Sequence, residues 1–413
     1  MPVYAFGSNG SGQLGIGHTD DVCTPTRCFF SRPDDSTTTS STGGGSDTTI
    51  DTDPDKVIDE DRDRVRRIAA GGNHTIILYA SGAAYAAGMN ADGRCGVGDV
   101  NSNYSFSPST TKSETDLGGE ERRMLVRFAR VRLELADGRV VDRFADVSAS
   151  WAATVFVALC GEEVYVVGSG EKGELGLGEA CQIAAEPTVI TDFPPAGSSV
   201  TAIASGMSHV VCVLSNGHVY GWGAARKGQL GHSATASKAA WVPVSIEDVS
   251  FRADGAACGR EFTVVVGRAS GEYVVLGSDK WGIVSGATSS AAETNLKKGR
   301  VSTSWHGVYI HNAADNSLVA WGRNDRGQLP PSSLSEKKVA QFAAGSEHAV
   351  ALLSDLTVVS FGWGEHGNCG AAVDAQGNVK DRVNEIPLSL ADDERVVRVA
   401  AGCATSWVVT TRG

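Results

Sequence analysis

Two segments of the chain match a dinucleotide-binding fingerprint: Gly168-Ser-Gly170-Glu-Lys-Gly173 and Gly362-Trp-Gly364-Glu-His-Gly367 both read Gly-x-Gly-x-x-Gly. That loop binds a pyrophosphate only where it opens a helix whose N-terminus faces the ligand. No helical pattern follows either segment, and both fall in register with five other glycine turns that lack the middle glycine. Both are therefore expected to be plain turns. No Gly-x-x-x-x-Gly is followed by Lys-Ser or Lys-Thr, so a phosphate-binding P-loop is excluded. Cys23 and Cys28 are too far apart for a Cys-x-x-Cys pair, and no second cysteine or histidine pair stands at finger spacing. His74, His209 and His348 recur at one place in a repeat, which would put them in different structural units. Each is expected to hold its own backbone through a ring N–H rather than to ligate a metal. No Ser/His/Asp or Cys/His set has local support. The residues point to no catalytic group, no cofactor, no metal and no enzyme.

What positions these residues is a repeat. A glycine pair spaced five apart occurs seven times, at 7/12, 88/93, 168/173, 223/228, 277/282, 322/327 and 362/367. A bulky residue usually precedes the first glycine, and Gln-Leu or Glu-Leu follows the second in four copies, as for a strand that ends in a tight turn. Upstream lie Ala-Ala-Gly-Gly-Asn-His (69–74), Ala-Ser-Gly-Met-Ser-His (204–209) and Ala-Ala-Gly-Ser-Glu-His (343–348), each with its histidine 14 residues before the next anchor glycine. Degenerate copies stand at 149–154, 257–262 and 303–308, and a last copy at 400–405. The apolar residues between, with a central turn such as Ser215-Asn216-Gly217, read as a β-hairpin. Several short strands per repeat predict an all-β propeller of seven blades in one domain, 1–413. The chain starts with the second half of a repeat and ends with the first half, so the N- and C-terminal strands should pair and close the ring.

Composition agrees. Fifty glycines in 413 residues exceed the usual ~7% and suit many tight turns. A net charge of −12 argues against a general DNA or membrane-surface binder. Residues 31–61 carry nine acidic and two basic residues, which is −7 of that −12, and are expected to form a disordered insert. A second flexible insert is expected at 99–120. The stretch after it alternates, turns at Asp137-Gly138, and reads as a strand pair running from one blade into the next. Its seven arginines between Arg122 and Arg143 read as a solvated strand face paired with the acidic insert, the alternative being a partner or RNA contact. The chain opens without a basic, apolar leader, holds no 18-residue apolar run, and has nine scattered cysteines that read as reduced thiols. Cytoplasm and nucleus are the expected compartments.

Residues that break the repeat stand out. Aligned by sequence, Trp151 and Trp305 stand at the position held elsewhere by Gly71, Gly206 and Gly345. Trp281 and His366 occupy the turn position of Ser11, Asp92, Lys172, Lys227 and Arg326, and Trp363 stands beside an anchor glycine. Large aromatics at turns are costly to expose and enriched at binding hot spots. Trp222 and Trp321, at the regular bulky position, are expected in the core.

The segments VYAFGSNGSGQLGIGH (3–18), AAGGNH (69–74), AAGSEH (343–348), FGWGEHGNCG (361–370) and AGCATSW (401–407) resemble the regulator-of-chromosome-condensation propellers. Within that family they are most similar to the fungal alpha-tubulin-suppressor, killer-toxin-insensitivity group. The resemblance implies a non-catalytic propeller in a heterodimer with a small CSL-type zinc-ribbon electron donor. It would support diphthamide synthesis on elongation factor 2 and, indirectly, Elongator-dependent wobble-uridine modification of tRNA. The expected contact residues are Trp151, Trp281, Trp305, His306, Glu347, Trp363 and His366, with the 402–407 segment beside them. The alternative implied by the wider family is guanine-nucleotide exchange on a Ran-type small GTPase.

Overall fold

A computed structural model describes residues 1–31, 63–98, 124–267, 269–290, 299–312 and 315–413. The expected inserts at 31–61 (but for Ser31) and 99–120 lie outside the described residues. Seven antiparallel sheets follow one another along the chain. Blade 1 comprises Val65–Ala70, His74–Tyr79, Ala84–Met89 and Met124–Arg130; blade 2 comprises Phe144–Ala149, Ala153–Ala158, Val164–Ser169 and Ile183–Val189. Blade 3 is Val200–Ser205, His209–Leu214, Val219–Ala224 and Ala239–Ser245. Among the described residues, blade 4 (Gly255–Cys258, Phe262–Gly267, Glu272–Gly277) and blade 5 (Gly299–Thr303, Gly307–Asn312, Ser317–Gly322) have three strands each. A helix, Ile283–Ser290, follows blade 4, and Ser332–Ser335 makes one helical turn after blade 5. Blade 6 is Val339–Ala344, His348–Leu353, Val358–Trp363 and Asn378–Glu385.

Blade 7 uses both ends of the chain. Glu394–Ala401 and Thr405–Arg412 pair with Val3–Gly7 and then Val22–Arg27, in a register running from Val3 opposite Val409 to Gly7 opposite Thr405. The expected closure is thus present, and no sheet edge is left where the chain ends meet. The first strands of consecutive blades pack on one another all the way round, blade 7 against blade 1 included. They line the central channel.

The local sequence explains the sheets. Both faces of a blade are covered by its neighbours, so the second strand reads as an apolar run instead of alternating. His74–Tyr79, Ala153–Ala158, His209–Leu214, Phe262–Gly267, Gly307–Asn312 and His348–Leu353 are buried at every residue. Both glycines of all seven repeat pairs have positive φ, 98–123° at the first and 67–86° at the second. Side-chain-bearing residues avoid that region, which is why the spacing shows in the sequence. Trp222 and Trp321 are buried as expected, and their indole N–H groups donate to the carbonyls of Glu174 (2.8 Å) and Ile283 (2.9 Å).

The stretch after residue 120 is arranged differently from the expected strand pair. Met124–Arg130 completes blade 1. The Asp137-Gly138 turn instead belongs to a separate two-stranded hairpin, Leu133–Glu134 with Val140–Val141, before Phe144 starts blade 2. Several of the stripe's arginines have partners in the folded body. Arg127 and Arg130 lie over Phe29 and Tyr85, Arg139 bonds Asp137 and Glu163, and Arg143 donates to the Ser81 carbonyl.

Candidate partner-binding face

In each blade the turn after the first strand and the turn after the third strand emerge on one side of the ring. Six of the seven candidate residues belong to these turns and Trp363 ends the strand that leads into one, so all lie on one face. How that face is built begins with the three repeat histidines. Each ring is fully buried and its Nε2 meets a hydroxyl of the following blade: His74 with Thr154 (2.8 Å), His209 with Thr263 (3.0 Å), His348 with Ser406 (2.9 Å). Each hydroxyl donates its one proton to a turn carbonyl of the histidine's own blade, at Arg94, Gln229 or Asn368. The hydroxyl must therefore accept from Nε2–H, which fixes the tautomer and leaves a bare, unpartnered Nδ1. Burial pulls the imidazole pKa down to about 3 at His74 and about 4 at His209 and His348. The expected bond to the histidine's own backbone is replaced by a clamp between blades. Sequence position explains the pairing, since the hydroxyl stands one residue after the histidine position of the next blade. Where the preceding blade offers Ala153, Phe262 or Gly307 instead of histidine, that place holds Val210, Val308 or Ala349.

The same rings decide the residue three positions earlier. A Cβ on Gly71 or Gly345 would sit 2.2 or 2.3 Å from the histidine Cε1 of its own blade, and one on Gly259 would sit 2.0 Å from the Phe262 ring. The blades with Ala153 or Gly307 have no ring there, and they carry Ser150 and Ser304. Backbone bonds equate these positions, because Gly71, Ser150, Gly206, Gly259, Ser304, Gly345 and Gly402 all donate to the carbonyl three residues on. Trp151 and Trp305 thus stand one place later than the sequence comparison suggested, at the level of Gly72, Met207, Arg260, Ser346 and Cys403. The glycine position has no room for an indole; the next position faces the channel mouth. We expect Gly345→Ala to destabilise the fold by ~1–3 kcal/mol through overpacking against His348, and Ser304→Gly to cost far less. Urea unfolding of both variants checks this.

At this level a backbone hoop links blades. Gly72 donates to the Trp151 carbonyl (2.9 Å), Trp151 to Met207 (3.0 Å), Arg260 to Trp305 (3.0 Å), Trp305 to Ser346 (2.8 Å) and Ser346 to Gly402 (2.9 Å). The hoop surrounds a cavity of about 150 Å³, lined among others by Trp151, Trp305, Ser205, Cys258 and Cys403. The two indoles lie with centroids 6.0 Å apart, and the Arg260 guanidinium covers Trp305 at 5.4 Å. Trp151 remains 40% exposed although its backbone is fully engaged.

Further out, Trp281 is 45% exposed, has φ +68°, and lies under Lys280 (5.8 Å) and Arg323 (5.4 Å). Arg323 also donates to Glu347 (3.1 Å), which accepts from Gln328 (2.7 Å) and lies 3.0 Å from His306 Nδ1. Burial pushes the Glu347 carboxyl up, but bonds from His306 and Gln328 and the Arg323 charge outweigh it, so its pKa falls below the usual carboxylate range. His306 and Glu347 are largely buried and brace the loops that carry the tryptophans. In blade 6, Trp363 lies under Arg326 (5.4 Å), contacts His366 edge-on (5.3 Å) and donates to Glu365 (3.1 Å); His366 meets Asp21 of blade 7 (2.8 Å). The 402–407 segment adjoins as expected, with the Ala404 N–H donating to Ser346 Oγ (3.2 Å), while Trp407 is core. The covering cations Arg260, Arg323 and Arg326 escaped sequence reading. Arg323 shares its place beside the anchor glycine with Trp363, and that coincidence was the available signal.

Comparison with known proteins agrees with this architecture. The regulator of chromosome condensation (RCC1) repeat signature matches residues 2–78, 162–213 and 216–266, and a second RCC1-repeat signature matches 65–94 and 200–229. An RCC1 repeat-containing protein of Schizosaccharomyces pombe is 27% identical over 98% of both chains. The ultraviolet-B receptor of Arabidopsis thaliana is 27% identical over 84% of this chain and 75% of its own length. The secretion-regulating guanine nucleotide exchange factor of Bos taurus is 23% identical over 90% of this chain and 76% of its own. In fold, the crystal structure of Prp20p from Saccharomyces cerevisiae superposes with a TM-score of 0.70 at 18% identity, covering 100% of this chain and 92% of that one. With these repeats matched over 2–94 and 162–266 and both chain ends in one blade, the chain is a seven-bladed propeller similar to the RCC1-repeat proteins.

Proposed function

We propose that this propeller is a non-catalytic docking protein whose tryptophan-bearing face binds a small CSL-type zinc-ribbon protein. It thereby acts, in cytoplasm and nucleus, in diphthamide synthesis on elongation factor 2 and in Elongator-dependent tRNA modification. The observation that carries the reading is the placement of all repeat-breaking aromatics on one face. Trp151 and Trp281 are exposed there, and Trp281, Trp305 and Trp363 each lie against a cation. Half-exposed indoles held by a rigid scaffold lose little entropy on binding, which is what hot spots require. The GWGEHGNCG and GCATSW segments, which the resemblance assigns to this group, adjoin through the Ser406 hydroxyl, which donates to the Asn368 carbonyl (2.8 Å). The partner's zinc is its own, and the propeller supplies surface and not ligands.

The guanine-nucleotide-exchange alternative is favoured by one finding, the similarity to a protein named as an exchange factor. Parallel calorimetric titrations of the purified chain separate the two readings. A purified zinc-ribbon protein is expected to bind 1:1 at about micromolar or tighter Kd, near −8 kcal/mol. Binding by nucleotide-free Ran-type GTPase, with acceleration of its nucleotide release and no zinc-ribbon binding, would replace this reading with the second.

A further inference from the structure

Blade 5 has no fourth strand because the chain supplies too few residues for one. After Gly327 only residues 328–338 precede the next blade, whereas 174–199, 229–254 and 368–393 follow the matching glycine of blades 2, 3 and 6. Pro330 and Pro331 stand in that short stretch and offer no N–H to a ladder, and the helical turn Ser332–Ser335 lies against blade 6. The third strand, Ser317–Gly322, is therefore an edge. Ser317 is exposed and Leu318, Val319 and Ala320 are half-buried, where the third strands of blades 1, 2, 3 and 6 are buried almost throughout. The Arg323 N–H donates inward to the His306 carbonyl (2.8 Å). By the alternation of an antiparallel ladder, Leu318, Ala320 and Gly322 then point their N–H and C=O groups outward. These backbone groups have no hydrogen-bond partner among the described residues.

Open edges invite pairing, and proteins blunt them with proline and charge. The outer strands of the four-stranded blades follow that rule. Blades 7, 2 and 3 carry Pro25, Pro187 and Pro243 there, blade 1 carries Arg127 and Arg130, and blade 6 carries Lys380, Asp381 and Arg382. Ser317-Leu318-Val319-Ala320-Trp321-Gly322 has neither proline nor charge. We propose that this edge is a strand-addition site, which takes an extended, acidic segment of a partner protein as the missing fourth strand of blade 5. Main-chain bonds give such a segment its affinity and alternate side chains its specificity. Register supplies one requirement: the residue opposite the anchor glycine is aliphatic in all five four-stranded blades, at Val22, Leu125, Ala184, Ala240 and Val379. The segment should therefore place an aliphatic residue opposite Gly322. Charge supplies the other. Residues 323–338, which follow the edge, carry Arg323, Arg326, Lys337 and Lys338 against Asp325 and Glu336, on a chain of net charge −12. A second copy of the chain would bring two such net-positive flanks together, whereas an acidic segment neutralises one. The edge ends at Arg323, over Trp281, so the segment belongs to the protein docked on the tryptophan face, and the inference rests on that reading.

The test is hydrogen exchange on the whole chain with and without saturating purified zinc-ribbon protein, beside calorimetric titration. Exchange at the Leu318, Ala320 and Gly322 amides should slow at least about tenfold, with no change in the outer strand Ile183–Val189 of blade 2. Ala320→Pro removes one outward N–H and no bond to Gly307–Asn312, and should weaken binding at least about tenfold. Lys337→Glu with Lys338→Glu changes two exposed side chains, leaves the fold intact, and should weaken binding at low salt. Binding without added protection of these three amides, or with wild-type affinity in Ala320→Pro, overturns the inference and leaves the docking reading standing. Absence of binding overturns both. Protection that grows with the concentration of this chain alone would assign the edge to a second copy and overturn the inference as stated.

Discussion

Deletion of residues 1–15 should unfold the ring at a markedly lower temperature. Val3–Gly7 is the third strand of blade 7, paired on one side with Thr405–Arg412 and on the other with Val22–Arg27. Its removal strips Ala5 and Phe6 from the core, frees a buried strand edge, and takes away the turn that Asn9 and Gln13 organise through bonds to the Leu14 and Ser11 amides. Losing one phenylalanine from a core costs ~3–5 kcal/mol by itself. A whole strand therefore removes a large part of the ~5–15 kcal/mol that keeps an ordinary domain folded. Differential scanning calorimetry reads the result directly. An unchanged midpoint after the deletion would show that the ring holds together without its terminal clasp.

Mild acid should unfold the protein as effectively as losing a strand. His74, His209 and His348 titrate near 6.5 when unfolded, but at about 3, 4 and 4 in the buried clamps. Between those values the unfolded chain binds more protons, so stability is fully present above pH 6.5 and is lost as pH falls below it. Each histidine contributes ~1.4 kcal/mol per pH unit in that window, and three contribute ~4 kcal/mol. From pH 7 to pH 5 the loss is ~6 kcal/mol, close to the whole stability of many domains. Urea unfolding measured across pH 5–7 should show this slope, and His209→Gln should flatten it by about a third. A stability that is level from pH 6.5 to pH 5 would show that the rings are not held neutral.

Much of this architecture is legible in the residues, and the reasons are specific. The seven glycine pairs mark backbone that only glycine adopts easily, so turn number and blade number follow from spacing. The split repeat gives the closure. The apolar second strands show that both sheet faces are covered. Relations between blades are harder to read, because the partners are distant in sequence: His74 and Thr154 are 80 residues apart. The rule that links them, a hydroxyl one place after the histidine position of the next blade, emerges once the blades are set side by side. The same gap shifted Trp151 and Trp305 by one residue. Their blades lack the histidine that anchors the alignment, and only the backbone bonds restore the register. Cations over the tryptophans escaped for a related reason, since Arg260 reaches Trp305 and Arg323 reaches Trp281 from neighbouring blades.

The docking face is tested most directly by titrating the purified zinc-ribbon protein against Trp305→Ala and Trp363→Ala, beside the wild type. Trp305 contacts Trp151 and lies under Arg260, and Trp363 joins Arg326 to His366, so each truncation removes an anchor from one half of the face. Truncating a buried anchor tryptophan typically costs ~2–4 kcal/mol, so affinity should fall ~30- to 1,000-fold in each variant. Both variants should keep the wild-type unfolding temperature, since neither indole is among the buried core residues. Wild-type affinity in both variants, with the fold intact, would contradict docking on this face.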